Sequence, residues 1–106
     1  MHAPAEREGQ FSVSVSTDAS GHEVSLSGEL DIATADQLTD ALAALTPGSG
    51  QRLVIDLTAV SFMDSTGLRV LIAANRDASA GDYELVIVTG DSPAKRVLEL
   101  TRMDEH

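Results

Sequence analysis

The chain has 106 residues, enough for one hydrophobic core and too few for two self-sufficient domains. Its 17 acidic and 7 basic side chains give a formal net charge of −10, so nucleic-acid phosphates should repel it and its partners should be proteins with basic surfaces. With no cysteine and only three scattered histidines, the sequence excludes a disulfide framework and a thiolate metal site, and it offers no evident metal or cofactor site.

The sequence has no recognisable membrane or export signal. No apolar stretch approaches the roughly 20 residues that cross a bilayer, and the amino terminus has no apolar signal-peptide region. We therefore expect a cytoplasmic protein without direct membrane insertion. Residues 1–10 are polar, and we expect them to form a disordered tail in front of a single domain over residues 11–106.

The first two predicted elements are the strands of an antiparallel hairpin. Apolar residues and serines alternate over residues 11–16, the period of two that is typical of a half-buried strand. A turn-forming stretch follows over residues 17–21, and the alternation resumes over residues 24–30. Gly28 is expected to interrupt the second strand near its end.

A first helix is predicted after Asp31. There Leu38, Leu42 and Leu45 recur at helical spacing and form one apolar stripe. The turn residues of Pro47–Gly50 end the pattern. Aspartate before a helix is typical of an N-cap, so the pattern alone favours a capping role for Asp31 over a functional one.

A third strand and a second helix come next. The nearly continuous apolar sequence of Leu53–Leu57 predicts an interior strand, either covered on both faces or running parallel to a neighbour beside a crossover helix. The acidic and hydroxyl side chains of residues 64–66 are an N-cap signal for the helix after them. Phe62 and Met63 are predicted to pack into the core, and residues 77–82 to form a loop.

The last predicted elements are a strand over Leu85–Val88 and a helix that begins near Ser92 and Pro93. The order is therefore β-β-α-β-α-β-α. Two successive right-handed crossovers that step the same way place both crossover helices on the same face of the sheet. The sequence thus predicts an α/β fold: a single domain with a mixed sheet of four to five strands and crossover helices packed mainly on one face.

Residues suited to catalysis are sparse. No glycine-rich segment fits a P-loop or a dinucleotide fingerprint, and no histidine lies near Ser65 in sequence to act as its base. Acidic and hydroxyl residues instead cluster where a predicted strand ends and a helix follows, at Asp31 and at Asp64–Thr66. In open α/β sheets, ligands and partners dock outside the carboxyl ends of the strands. That edge is the candidate functional surface, and we do not predict an enzyme.

The segment Asp64–Gly67 supports two compatible interpretations. As a helix cap, one of its side chains would accept hydrogen bonds from the free N–H groups of the first turn, and the pattern alone favours this role. As a switch, a hydroxyl at the positive end of the helix dipole stands where a phosphate would be stabilised. Gly67 costs a helix about 0.5–1 kcal/mol relative to alanine, which suggests the close approach of another part of the backbone.

The segment VSFMDSTGLRVL at Val60–Leu71, together with SGELD at Ser27–Asp31, closely resembles the STAS-domain family and specifically its anti-sigma-factor antagonists. The resemblance extends over about residues 11–100 and includes the order of the elements. It implies a bacterial binding protein that is not an enzyme. Chains of the family commonly continue for some residues beyond the position of Met103 and complete the last helix, whereas only three residues follow Met103 in this sequence.

In this family, an anti-sigma factor that is also a serine kinase phosphorylates the hydroxyl residue after the aspartate of the motif. The resemblance therefore implies phosphorylation at Ser65: the unphosphorylated form binds the anti-sigma factor and releases a sigma factor, and a phosphatase resets the modified form. It also implies partner contacts around the site, at Asp31, Asp64, Thr66 and Gly67. Thr66 offers a second hydroxyl, so the sequence leaves open whether Thr66 is a second phosphate acceptor.

Two alternatives come from other functional classes. STAS domains also serve as non-catalytic scaffold subunits of signalling assemblies or as partners of transporters, but the complete DSTGL motif at Asp64–Leu68 favours the antagonist. A hydrolase that uses Ser65 is the second alternative, and the missing histidine base argues against it.

Overall fold

The computed structural model describes residues 11–101. The predicted tail over residues 1–10 lies outside the described residues, as do residues 102–106. The elements follow the predicted order: β1 (Ser12–Asp18), β2 (Gly21–Leu30), α1 (Ala35–Ala43), β3 (Arg52–Met63), α2 (Ser65–Gly81), β4 (Glu84–Val88) and α3 (Pro93–Thr101).

The four strands form one mixed sheet in the order β1-β2-β3-β4. The hairpin strands β1 and β2 are antiparallel, whereas β2 pairs with β3, and β3 with β4, in parallel. The crossover helices α1 and α2 contact each other, and α2 also contacts β3 and β4, while α3 packs against β3. The predicted fold, a single α/β domain with a mixed sheet and crossover helices mainly on one face, is confirmed.

The core lies between the helices and one face of the sheet. Adjacent strands place apolar partners on this face, such as Val13 opposite Leu26 and Ile55 opposite Ile87. Fully burying one such aliphatic side chain contributes about 1.5–3 kcal/mol. The largest fully buried side chains come from both layers: Leu30, Leu38, Ile55, Leu57, Leu71, Leu98, Val24 and Val60.

The helices cover only one side of β3. Leu53, Ile55 and Leu57 are buried, but the intervening Val54 and Asp56 are only half-buried. Of the two arrangements that the apolar run allowed, the structure has the parallel strand beside a crossover helix. The other face of the sheet is polar because serines occupy the alternate positions of β1 and β2.

Strand β3 is longer than predicted and reaches the functional edge. It continues past Leu57 to Met63, which pairs with Leu30 at the end of β2. Two register shifts between β2 and β3 accommodate extra residues on the β3 side, and one of them lies between Gly28 and Glu29. Gly28 has a φ of 93° at this register shift, but β2 continues to Leu30, so the predicted interruption is an irregularity in the pairing and not the end of the strand.

Helix α2 also extends beyond its predicted end. The loop predicted over residues 77–82 is wrong because the helix runs to Gly81. Ala74 and Ala78 are 5% and 3% exposed, so the buried stripe of the helix continues through residues that favour helix. The helix ends where Asp82 adopts a left-handed φ of 60°, which aspartate tolerates better than most residues.

Candidate functional site

The sheet register brings the two predicted acidic positions to one edge. Leu30 pairs with Met63 at the carboxyl ends of the parallel strands β2 and β3, so Asp31 and Asp64 follow at adjacent strand ends. A hydrogen bond from the Asp64 N–H to the Leu30 carbonyl oxygen, 3.3 Å long, joins the two ends. The edge chosen from sequence therefore unites the loop after β2 with the start of α2.

Asp64 is the N-cap of α2, which confirms the predicted cap and identifies the side chain that provides it. Its backbone is extended, and its Oδ1 accepts hydrogen bonds from the N–H groups of Thr66 (2.9 Å) and Gly67 (3.3 Å). A cap of this kind stabilises a helix by about 0.5–2 kcal/mol. Its other oxygen, Oδ2, has no hydrogen bond within residues 11–101.

Ser65 is the first residue of α2 and is exposed. Its hydroxyl forms no hydrogen bond with any other residue of the described chain, so it neither caps the helix nor supports the fold. Thr66, the other hydroxyl residue of the motif, is half-buried. The two hydroxyls therefore differ in access, although they are neighbours in sequence.

Gly67 fits the first turn of α2 against the ends of β2 and β3. It is buried, and an added Cβ would lie 2.7 Å from Cγ of Leu30 and 3.1 Å from Cγ of Met63. The close approach expected at this glycine exists, but it involves side chains and not another backbone. The packing fixes the position of the helix start, and therefore of Ser65, relative to the sheet.

Asp31 lies in the turn between β2 and α1. The N-cap residue of α1 is Thr34, whose side chain makes no capping hydrogen bond, so Asp31 does not cap α1 itself but the turn that leads into it. Oδ1 of Asp31 accepts a hydrogen bond from the Ala33 N–H (3.0 Å). The Thr34 hydroxyl donates to the Glu29 carbonyl oxygen (2.7 Å) and accepts from the Asp31 N–H (3.0 Å). These bonds hold the turn, while Oδ2 of Asp31 has no hydrogen bond in the described chain.

Two exposed apolar side chains at this edge were missed in the sequence. Ile32, next to Asp31, is 80% exposed. Phe62 is 47% exposed, so its predicted place in the core is wrong, whereas Met63 is buried as predicted. The alternation of side chains along a strand could have revealed Phe62, because only one of two consecutive residues can face the core. Nothing in the sequence around Ile32 distinguishes it from a core residue of the helix that follows.

The groups with shifted pKa values lie away from this edge. At the hairpin turn, hydrogen bonds from the Ser20 hydroxyl and N–H lower the pKa of Asp18. Burial, and then the charge of Asp77, raises the pKa of Tyr83. Tyr83 also lines a cavity of about 170 Å³ bounded by both crossover helices, which includes Leu42 and Val70 but none of the candidate site residues.

Two further features of the described chain bear on function. Within residues 11–101, no group of three or more histidine, cysteine, aspartate or glutamate side chains is arranged to hold a metal ion. None of the helices in that range is both long and apolar enough to cross a bilayer.

Comparison with known proteins identifies the family. The family model described as "Mlab, STAS domain" matches residues 13–105. The chain belongs to the STAS-domain family. Among curated relatives, the anti-sigma-B factor antagonist of Listeria monocytogenes is 35% identical over 83 residues, which are 78% of this STAS chain and 73% of the relative. That of Staphylococcus aureus is 28% identical over 95 residues, covering 90% and 88% of the two chains.

Solved structures agree with this assignment. An anti-sigma factor antagonist from Mycobacterium paratuberculosis superposes with a TM-score of 0.77 at 31% identity, over 99% of this STAS chain and 86% of the other. Unphosphorylated SpoIIAA, an anti-sigma factor antagonist, superposes with a TM-score of 0.66 at 17% identity, over 89% and 84% of the two chains, and supports the fold alone. The resemblance recognised in the sequence is confirmed.

Proposed function

We propose that this STAS protein is an anti-sigma-factor antagonist controlled by phosphorylation of Ser65. The unphosphorylated form binds an anti-sigma factor that is also a serine kinase and so releases a sigma factor. Phosphorylation of Ser65 ends this binding, and a phosphatase restores it. The observation that carries the proposal is the exposed hydroxyl of Ser65, which forms no hydrogen bond within residues 11–101 and lies at the carboxyl edge of the sheet with Asp31 and Asp64.

The accessibility of the two hydroxyls favours Ser65 over Thr66 as the phosphate acceptor. A kinase must reach the hydroxyl from solvent, and Ser65 is exposed while Thr66 is half-buried. A phosphate at Ser65 would also lie at the positive end of α2, where the helix dipole favours negative charge. The fold can therefore carry the modification without rearrangement.

The surface around Ser65 suits a protein partner. Ile32 and Phe62 expose apolar area at the same edge, and exposed apolar side chains of this kind mark interaction surfaces when they cluster. Asp31 and Asp64 each keep one carboxylate oxygen without a hydrogen bond in the described chain. A partner with an apolar contact region and basic side chains around it would complement this edge.

The surroundings of Ser65 support a binding role for this chain. The histidine of the described residues, His22, lies near the start of β2, at the opposite end from Leu30. Eight residues of extended strand separate the two positions by roughly 25 Å, so His22 cannot serve Ser65 as a base. The proposed chemistry at Ser65 is therefore performed by the kinase partner, and this chain supplies the acceptor hydroxyl.

Calorimetric titration tests the binding half of the proposal. Each anti-sigma factor encoded in the protein's own genome is titrated with the unphosphorylated protein. At least one should bind with micromolar or tighter affinity, and binding should release its sigma factor. If none binds, and a membrane transport subunit is recovered from lysate with the tagged protein, the STAS scaffold alternative replaces the antagonist.

Asp31 is predicted to contribute to partner contact beyond its structural role. Asn in its place keeps an oxygen that can accept from the Ala33 N–H and removes the charge. We expect Asp31→Asn to retain the thermal stability of the domain and to weaken anti-sigma factor binding or slow phosphorylation several-fold. Titration calorimetry and a phosphorylation time course measure the two effects.

The matched control is Asp40→Asn, which removes the same charge from an exposed position on α1. Its binding and phosphorylation should equal those of the unaltered protein. If Asp31→Asn and Asp40→Asn give the same affinity and the same phosphorylation rate, the role of Asp31 is limited to stabilising its turn.

A further inference from the structure

Helix α2 presents an exposed stripe that begins at Ser65. Arg69, Ile72 and Arg76 follow Ser65 at steps of four, three and four residues, the spacing that places residues on one helical face. All four residues are exposed, and Ile72 is 40% exposed. The candidate phosphate acceptor therefore shares its face of the helix with two cationic side chains.

Arg69 has no anionic partner in the described chain. The salt bridge found within residues 11–101 joins Arg52 to Glu84 at 3.0 Å, and neither Arg69 nor Arg76 forms an ion pair there. This is notable in a chain with a net charge of −10, where acidic side chains outnumber basic ones 17 to 7. Before Ser65 is modified, no acidic side chain of residues 11–101 neutralises the charge of Arg69, which lies one helical turn from the candidate phosphate acceptor.

The geometry of a helix lets Arg69 reach Ser65. Residues four apart have Cβ atoms about 5–6 Å from each other. Helical side chains tilt toward the amino terminus of the helix, so the long side chain of Arg69 leans toward the turn that holds Ser65. Arginine presents several donors in a fixed plane and binds phosphate oxygens in pairs, with stronger hydrogen bonds than neutral donors form.

We propose that Arg69 binds the phosphate carried by Ser65, within the same helix. This inference rests on the proposed function, because it assigns the residue that receives the phosphate once Ser65 is modified. Modification then changes two features of the binding surface together. It adds a charge of about −1.5 to −2 at Ser65, and it withdraws the cationic group of Arg69 from contact with a partner. Arg76 lies about two helical turns beyond Arg69 and is too far from Ser65 to bind its phosphate, so the charge of Arg76 stays free.

Titration of the phosphate by ³¹P NMR tests the assignment without any partner protein. Phosphoserine is installed at position 65 during translation in the unaltered sequence, in Arg69→Gln and in Arg76→Gln. A bound arginine favours the dianion, so the titration midpoint should rise by about 0.3 pH unit in Arg69→Gln, a two-fold change in proton affinity. Arg76→Gln, which removes the same charge from the same stripe, should shift the midpoint by less than about 0.1 pH unit.

Acidic residues at the strand ends next to the start of α2 include Glu29 and Asp31 at the end of β2 and Asp64 at the cap. They are the same in all three proteins, so the difference between the two variants isolates Arg69. As a second readout, the ¹⁵N resonance of Arg69 Nε should move as the phosphate titrates, while that of Arg76 stays in place. Equal midpoints for both variants, or an unmoved Arg69 resonance, would overturn the inference. Because the phosphoserine is installed during translation, this outcome is independent of whether any kinase modifies Ser65.

Discussion

Phosphorylation of Ser65 should lower affinity for the anti-sigma factor by well over an order of magnitude and leave the domain folded. At the start of α2, the phosphate gains from the helix dipole and from nearby donors, so the fold tolerates it. Binding is different, because a partner surface that fits a neutral hydroxyl would face a bulky anion that must be desolvated. We therefore expect the switch to act at the binding surface and not through unfolding.

Calorimetry and circular dichroism separate these two effects. The phosphorylated protein should keep its circular dichroism spectrum and a melting temperature within a few degrees of that of the unmodified protein, while binding falls below detection. Phosphoserine installed at Ser79, exposed near the other end of α2, is the matched control and should leave binding intact. A large fall in melting temperature on phosphorylation of Ser65 would mean that binding is lost because structure is lost.

Gly67→Ala should destabilise the domain although alanine favours helix. The substitution gains about 1 kcal/mol of helix propensity. It also places a methyl group 2.7 Å from Cγ of Leu30 in a packed core, and overpacking of this kind costs about 1–3 kcal/mol or more. We expect a net loss of up to about 2 kcal/mol in the free energy of unfolding, which lowers the melting temperature by up to roughly 15 °C.

A double-mutant cycle identifies the cause of that loss. Leu30→Ala removes the atoms that an added methyl group would meet, so the combined variant should be less destabilised than the sum of the single variants. Gly48→Ala is the control, because its Cβ would meet only Gln51, at an ordinary contact distance of 3.5 Å. Additive effects at Leu30 and Gly67, or a stabilised Gly67→Ala protein, would show that this contact does not position the helix.

The order of elements and the sheet topology could be predicted because local patterns agree with the global fold. Serines alternate with apolar residues in β1, the crossover helices carry apolar stripes, and right-handed crossovers leave only one arrangement of the helices. The cap at Asp64 was also predictable, since an acidic side chain before a helix has one common structural role.

Features set by contacts between distant residues could not be predicted from local patterns. The extension of β3 to Met63 depends on pairing with Leu30, thirty-three positions earlier, and on two register shifts that the sequence does not mark. Alternation along the strand excludes one of Phe62 and Met63 from the core, but only the register reveals that it is Phe62, and only the turn reveals that Ile32 is exposed. Asp31 has the residue type of a cap, but a turn over residues 31–34 separates it from α1, and its side chain caps that turn.

Phosphorylation of Ser65 by an anti-sigma factor is the central claim, and peptide mapping by mass spectrometry tests it most directly. The protein is incubated with ATP and each anti-sigma factor kinase of its own genome, and the modified residue is located in the peptide that contains residues 64–67. The account predicts one phosphate on Ser65, an unmodified Thr66, and no stoichiometric phosphate in Ser65→Ala. Stoichiometric phosphate on Thr66 or elsewhere in Ser65→Ala, or no transfer from any kinase that binds the protein, would contradict it.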